Sequence, residues 1–395
     1  MTWTTLPGWI YRNEEFFALE REAIFLRTWQ LAGHASEIPE PGDYLRFDLL
    51  GESAILLRGR EGEISAFYNV CRHRAFRLLD GPTGHCGKRI RCRYHGFTYD
   101  LSGQLVAVPA EEAFDGLDKS CHGLRPVEIE NFLGFLYVRF GGDGPSVAEQ
   151  MAPYRAALER YRTAEMRPFG PGHGTPIQAD WKVAVENNIE GYHIAPAHPG
   201  LQRLYGADYR FETQPLGASH AGGRLRETAA GSWSERHYLK LLPEVAGLED
   251  WQRRGWYYYA MFPNLAFDVY PDQIDYFQIL PVAPGIAMSR SRAFALPDAR
   301  REMRAARYLN QRINRQVGRE DVDLVEGVQA GLGSRGYRAG ILSGKEARVR
   351  QLQDLIRRAI PVAGELEAPA PGTVASVNAA LLEASKIKES ARSTR

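Results

Sequence analysis

Two short patterns in this sequence carry chemistry. The segment "NVCRHRAFRLLDGPTGHCGKRIRCRYHGFTYD" holds Cys71-x-His73 and then Cys92-x-x-His95. Further along, "NNIEGYHIAPAHPG" gathers Glu190, His193 and His198 where a helical pattern meets proline. A mononuclear zinc site needs four ligands converging on one ion, most often from Cys-x-x-Cys or His-x3-His pairs. Cys-x-His is too tight for the common zinc knuckle. It suits two adjacent ions, each loop giving its cysteine to one and its histidine to the other. That is the ligation of a [2Fe–2S] centre in which two histidines replace two cysteines on one iron. Imidazoles leave less negative charge on their iron than thiolates, so the potential rises, and the histidines are expected at the exposed edge as electron outlets. Structural zinc is the competing reading. Cys86 and Cys121 fall outside the pattern and are expected to pack as small apolar residues. His85 takes no part.

In the second pattern, Asp180 can cap a helix starting at Trp181. Trp181, Val185, Ile189 and Tyr192 make its apolar stripe, and Glu190 and His193 share a neighbouring face. Pro196 is expected to stop the helix, after which a turn brings His198 beside His193. Two histidines and a carboxylate form the facial triad of non-haem Fe(II) oxygenases, which leaves positions open for O2 and substrate; ordinary surface histidines are the alternative. Glu190 could supply the carboxylate. A better candidate is Asp321 in "GREDVDLVEGVQAGL", in the middle of an apolar face made by Leu324, Val325, Val328 and Leu332, with Glu320, Asp323 and Glu326 expected to point elsewhere. A carboxylate facing the core must be neutralised, by a metal or by an arginine such as Arg312 or Arg315.

These residues need elements to hold them. Residues 13 to 30 read as helix. From Asp43, short β-type runs alternate with glycine-rich turns up to "NFLGFLYVRFGGDGP", a small antiparallel β domain. The stretch 146 to 162 reads as helix, 256 to 294 as strands, and 299 to 332 and 345 to 359 as helices. After Pro361 the composition suggests a mobile tail with one short helix near 376 to 386. The fold class is α+β, divided as residues 36 to 145 for the β domain, 1 to 35 with 146 to 362 for a second domain, and 363 to 395 for the tail. The chain has 395 residues, 44% hydrophobic and 25% charged, with net charge +1. That balance gives no reason to expect nucleic acid or an anionic membrane as partner. No apolar run is long enough to span a bilayer. The N-terminus lacks the pattern of a signal peptide, so a cytoplasmic location is expected. Four cysteines are too few for a disulfide scaffold.

Taken together, these residues resemble the oxygenase α subunit of Rieske non-haem iron oxygenases, from "WQLAGHASEIPEPGDY" to "LSGKEARVRQLQDLIRR". The resemblance implies a Rieske domain followed by a helix-grip-like catalytic domain with an antiparallel sheet flanked by helices. It matches Cys71, His73, Cys92 and His95 to the cluster ligands, His193, His198 and Asp321 to the iron ligands, and Glu190 to the acidic residue that links the iron site to the Rieske histidine of a neighbouring subunit. It implies one [2Fe–2S] cluster and one Fe(II) per subunit, O2 as co-substrate, a head-to-tail homotrimer, and NAD(P)H electrons from a separate flavin and iron–sulfur reductase, since this chain shows no dinucleotide-binding glycine fingerprint. "DWKVAVENNIEGYHIAPAHPG" is similar to the "NWK…EN…ECYHC…HP" pattern of the glycine betaine, stachydrine and carnitine oxygenases, where the bridge is Glu. Gly191 and Ile194 depart from it, standing where that branch often has cysteines. The implied reaction is monooxygenation, with N-demethylation of a betaine and release of formaldehyde as the first reading. Ring hydroxylation or O-demethylation of an aromatic is the second, and electron transfer alone the third. The run "WYYYAMFPNLAF" supplies Trp256, Tyr258 and Phe262, with Tyr257 and Tyr259, as candidate cation–π partners; core packing is the competing explanation.

Overall fold

The computed structural model describes residues 3–206, 208–226 and 231–393, so the last two residues of the expected tail lie outside the described residues. The chain forms two compact units, Leu26–Ala148 and the flanking segments through Phe25 and from Glu149. Both are built on antiparallel sheets, which makes the fold α+β. No helix among the described residues is long and apolar enough to cross a membrane.

The Leu26–Ala148 unit contains three small sheets. One pairs Gln30–His34, Phe135–Arg139 and Glu128–Phe132; one pairs Ile64–Tyr68, Glu52–Arg58, Asp43–Leu49 and Thr83–His85; the third pairs Arg89–Arg91, Thr98–Asp100 and Leu105–Ala107. Asp43–Leu49 buries Leu45, Phe47 and Leu49 in alternation, whereas Glu52–Arg58 buries Ala54, Ile55, Leu56 and Leu57 on both faces. Cys71 and Cys92 lie within a core that also holds Leu78, Phe97, Tyr99 and Leu101.

The other unit is organised by one seven-stranded sheet. Its order is Arg167–Ile177, Ile286–Ala295, Ile274–Ala283, Leu265–Val269, Gly255–Met261, Ala218–Arg224 and Arg210–Thr213. The helix Arg301–Leu332 packs its first half onto this sheet, with Ala306, Leu309 and Ile313 in one cluster with Trp256 and Tyr270. Burying a side chain of that size contributes about 1.5–3 kcal/mol. The second half of the helix carries Glu320, Asp321, Asp323 and Glu326.

Three local expectations are corrected. The stretch 146 to 162 forms short segments, Val147–Gln150, Ala152–Tyr154 and Arg155–Glu159, because Pro153 interrupts it. The helix expected to run to Pro196 is Trp181–Ile189; Glu190 is already extended, and Pro196 sits inside a separate turn, Ile194–Ala197. Tyr192 consequently leaves the apolar stripe and is 55% exposed. The tail is also more ordered than its composition suggested. A helix spans Val374–Ser393, Val374 is buried, Asn378 accepts the Val362 N–H (3.1 Å), and Glu15 accepts the Gly372 N–H (2.7 Å).

The Trp181–Ile189 helix is held by a buried charge cluster. Asp180 caps it by accepting the Lys182 N–H (3.0 Å). The Lys182 ammonium, 0% exposed, lies between Glu20 (2.6 Å) and Asp180 (2.8 Å) under the rings of Tyr11, Phe16 and Trp181. Removing one partner of such a cluster strands the others in a dry site. Lys182→Met should destabilise this unit by about 3–5 kcal/mol, read as a lower urea midpoint by tryptophan fluorescence; an unchanged midpoint would show the cluster to be energetically idle.

Candidate active site

The two cysteine loops are built alike. Cys71 N–H donates to Phe76 O (2.8 Å) and Ala75 N–H to Cys71 O (3.1 Å); Cys92 N–H donates to Phe97 O (2.8 Å) and Gly96 N–H to Cys92 O (3.0 Å). The turning residues are both left-handed, with φ +55° at Ala75 and +78° at Gly96. Gly96 adopts this freely, whereas Ala75 gives up about 1–2 kcal/mol. The loops bring the His73 and His95 rings edge to face, 4.6 Å apart, with His73 stacked on Phe97 at 4.6 Å. Both thiols are buried and both imidazoles half-buried, the expected arrangement of inner sulfur and outer nitrogen. Tyr99 OH lies 3.3 Å from Cys71 Sγ and accepts the Arg72 N–H (3.0 Å). His73 Nδ1 is buried with no hydrogen-bond partner. An orphaned imidazole nitrogen beside two buried thiols fits a cluster. The remaining cysteines differ from one another. Cys86 packs against this core, while Cys121 is exposed near Asp118, contrary to the expectation of packing. His85 pairs with Asp43 (2.9 Å).

In the other unit, His193, His198 and Asp321 meet. Nε2 to Nε2 is 3.1 Å, His198 Nε2 to Asp321 Oδ1 is 3.0 Å, and His193 Nε2 to Asp321 Oδ1 is 3.6 Å. Ligands about 2.1 Å from one ion on an octahedral face stand about 3.0 Å apart. The triangle therefore fits a metal, and its two-nitrogen, one-carboxylate donor set suits non-haem iron. Among the described residues no arginine holds Asp321: its partners are the two histidines and Asn187, whose Nδ2 donates to Oδ1 (2.7 Å). Burial works to raise the Asp321 carboxyl, but these hydrogen bonds outweigh it and hold the group well below the usual carboxylate range. Burial likewise works to lower His193, yet Asp321 and Glu190 push it up to about 9. Those are the shifts of a site that needs positive charge, from protons or from an ion.

Each histidine turns Nε2 inward because its Nδ1 is engaged by a carboxylate. His193 Nδ1 bonds Glu190, which also accepts the His193 N–H (3.3 Å); His198 Nδ1 bonds Glu320 (2.7 Å). Glu320 was expected to point elsewhere. The apolar face assumed for that stretch is not one face: Val325 is buried, but Leu324 and Val328 are 39% and 51% exposed on the row shared with Glu320. Asp321 and Val325 instead follow Asn314 and Gly318 along the cavity. The available signal was Glu320 adjoining Asp321 in a chain with two histidines to orient.

The triad opens on a cavity of about 970 Å³ lined by the sheet, the Trp181–Ile189 helix and the Arg301–Leu332 helix. Of the aromatic run, Tyr258 lines it. Trp256 is fully buried against Tyr238 and Tyr270, and Phe262 packs near Gly217, so neither meets the expectation of a substrate contact. Tyr257 and Tyr259 lie on the opposite face of their strand, against His220. Tyr209 also lines the cavity, and its ring takes the space that a Cβ at Gly191 would need.

The family profile described as "Ring hydroxylating alpha subunit (catalytic domain)" matches residues 155–361, and "Rieske [2Fe-2S] domain" matches 28–127. The carnitine monooxygenase oxygenase subunit of Acinetobacter baumannii is 30% identical over 336 residues, covering 85% of this chain and 86% of that one. The glycine betaine monooxygenase oxygenase subunit of Chromohalobacter salexigens is 36% identical over 197 residues, 50% of this chain and 44% of that one. Among solved structures, the quaternary ammonium Rieske monooxygenase CntA superposes with a TM-score of 0.76 at 26% identity, over 91% of this chain and 96% of that one. Naphthalene 1,2-dioxygenase shares the fold, with a TM-score of 0.72 at 22% identity over 92% and 93%.

Glu320→Gln removes the carboxylate that orients His198. It should weaken Fe(II) binding by about 10–100-fold, measured by anaerobic metal titration, with the cluster absorbance unchanged; wild-type affinity would assign Glu320 to packing alone.

The matched profiles, the long-range identity and the two built metal sites make this chain a Rieske non-haem iron oxygenase, an oxygenase subunit carrying a [2Fe–2S] domain and a mononuclear iron domain and drawing its electrons from a reductase.

Proposed function

We propose that this subunit oxidises an N-methyl carbon of a small quaternary ammonium compound, a betaine, releasing formaldehyde. What carries the reading is a three-ligand iron site opening on a large cavity whose wall combines aromatic rings, carboxylates and arginines, in a chain similar over most of its length to a carnitine monooxygenase. A neutral hydrocarbon would have to desolvate those charged groups without replacing their interactions, which weighs against the aromatic-ring reading.

Cys71, His73, Cys92 and His95 hold the cluster, and His193, His198 and Asp321 hold the iron. When bound, these centres deliver two electrons to O2 beside the substrate. With two protons, one oxygen atom enters the C–H bond and the other leaves as water. The N-hydroxymethyl product then loses formaldehyde and a proton, leaving the tertiary amine. Glu190 fixes His193 and links it to the cluster of a neighbouring subunit in a homotrimer. Asn187 and Glu320 hold Asp321 and His198 in place. The Leu26–Ala148 unit carries the cluster loops, and the unit of the flanking segments carries the iron triad. NAD(P)H electrons arrive through a flavin and iron–sulfur reductase, and the protein works in the cytoplasm.

With Fe(II), NADH and a surrogate reductase, formaldehyde should match NADH consumption for a betaine and stay at background for aromatic acids and aryl ethers. Formaldehyde from an aryl ether, or a hydroxylated ring, would transfer the protein to the aromatic reading. Glu190→Gln should keep both metal centres and slow substrate-dependent cluster re-oxidation on the order of 100-fold, followed by stopped-flow absorbance; re-oxidation at the wild-type rate would remove Glu190 from the electron path.

A further inference from the structure

Within the cavity, the seven-stranded sheet places two carboxylates where sheets avoid them. Strand register sets Ala221, Tyr258, Asp268, Asp275, Ala293 and Phe169 side by side in one row across six strands. Asp268 and Asp275 are direct cross-strand partners. Like charges so placed destabilise a sheet, and the cost grows with burial. Their hydrogen bonds are few. Asp275 accepts from Gln273 Nε2 (2.7 Å) and Asp268 Oδ2 from Tyr270 OH (3.4 Å), while Asp268 Oδ1 is out of contact with solvent and has no partner. No lysine or arginine forms an ion pair with either carboxylate among the described residues; the buried Arg348, whose Nε donates to Ser219 (2.9 Å), acts on Asp268 from farther off. Burial pushes the Asp268 carboxyl up to about 7, and burial with the neighbouring Asp268 pushes Asp275 well up.

The parallel row on the same face is Ser219, Ala260, Ala266, Phe277, Ser291 and His173. Its two alanines are buried, and its Ser219 accepts from Arg348 Nε (2.9 Å). Phe277 from this row lines the cavity, as do Tyr258 and Phe169 from the first. A trimethylammonium group has no N–H to donate. It is held by negative charge and by aromatic faces, and it needs room for its methyls.

Resting on the quaternary ammonium reading above, we infer that Asp268 and Asp275, with Tyr258, form the seat of the substrate's cationic head. The head supplies the ion-pairing charge that the pair lacks, and an opposite charge within about 4–6 Å returns a raised carboxyl to its ionised form. It also fixes which carbon reacts. Asp268 and Asp275 share a cavity with His193, His198 and Asp321, so a head anchored on the pair presents its methyls within that cavity. The far end of a betaine, its carboxylate, has Arg292, Arg315 and Arg319 along the same wall.

The test is anaerobic calorimetric titration of the holoenzyme, carrying cluster and Fe(II), with glycine betaine and carnitine, each beside the isostere in which carbon replaces nitrogen (tert-butylacetate for glycine betaine). The wild type should prefer the cation. Asp268→Asn and Asp275→Asn should weaken betaine binding on the order of 30-fold and leave the isosteres, whose heads carry no charge, within about twofold, with cluster and iron content unchanged. Should Asp268→Asn fail to fold, Asp275→Asn carries the comparison alone. A wild-type preference that survives unchanged in the variants overturns the seat and leaves the substrate reading standing. A wild type that shows no preference for either cation overturns both.

Discussion

Two imidazole nitrogens and a carboxylate oxygen held within 3.6 Å of one another make an arrangement that is stable only around positive charge. The surroundings reinforce this need. Glu190 and Glu320 stand behind the two histidines, so each ring is held by a carboxylate on one nitrogen and offers the other to the centre. Protons can fill the space, which is why His193 is pushed up to about 9, but a divalent cation satisfies all three donors at once. The cost of assembling these charges is met by apolar packing elsewhere, in the first half of Arg301–Leu332 on the sheet.

What the sequence made legible follows from where interactions are local. Cys71-x-His73 and Cys92-x-x-His95 stood out as candidates because each Cys and His pair shares one tight loop whose turn is set by the residues between and just after it. His193 and His198 were legible for the same reason. Asp321 could be found because a helical acid beside apolar residues needs a partner, although the face assumed for it dissolved: Leu324 and Val328 are exposed. Glu320 escaped because its role depends on His198, which lies far away in the chain and enters only through the tertiary fold.

The substrate wall was the least legible part. An aromatic run in a strand announces two faces but not which one is open. Trp256 and Tyr258 share a face, yet Trp256 is sealed by Tyr238 and Tyr270 while Tyr258 reaches the cavity. Asp268 and Asp275 belong to different strands and become neighbours only through register. Their pairing is set by the turn between Val269 and Ile274, and a one-residue slip would send one of them to the other side of the sheet.

The iron site and the acid pair obey one electrostatic rule at two points of the same cavity. In each, carboxylates converge without an ion-paired lysine or arginine among the described residues. The difference lies in the shape of the donors. The triad presents three atoms converging at bonding distance, which selects a bare metal ion. The pair presents two carboxylates spread across a sheet beside Tyr258 and Phe277, which suits a bulky, weakly solvated cation that cannot be coordinated. A metal ion drawn to the pair would lack a third converging donor. A trimethylammonium group at the triad would be too large to reach three donors at once. Two cations of different chemistry can therefore be sorted within one cavity by donor geometry alone.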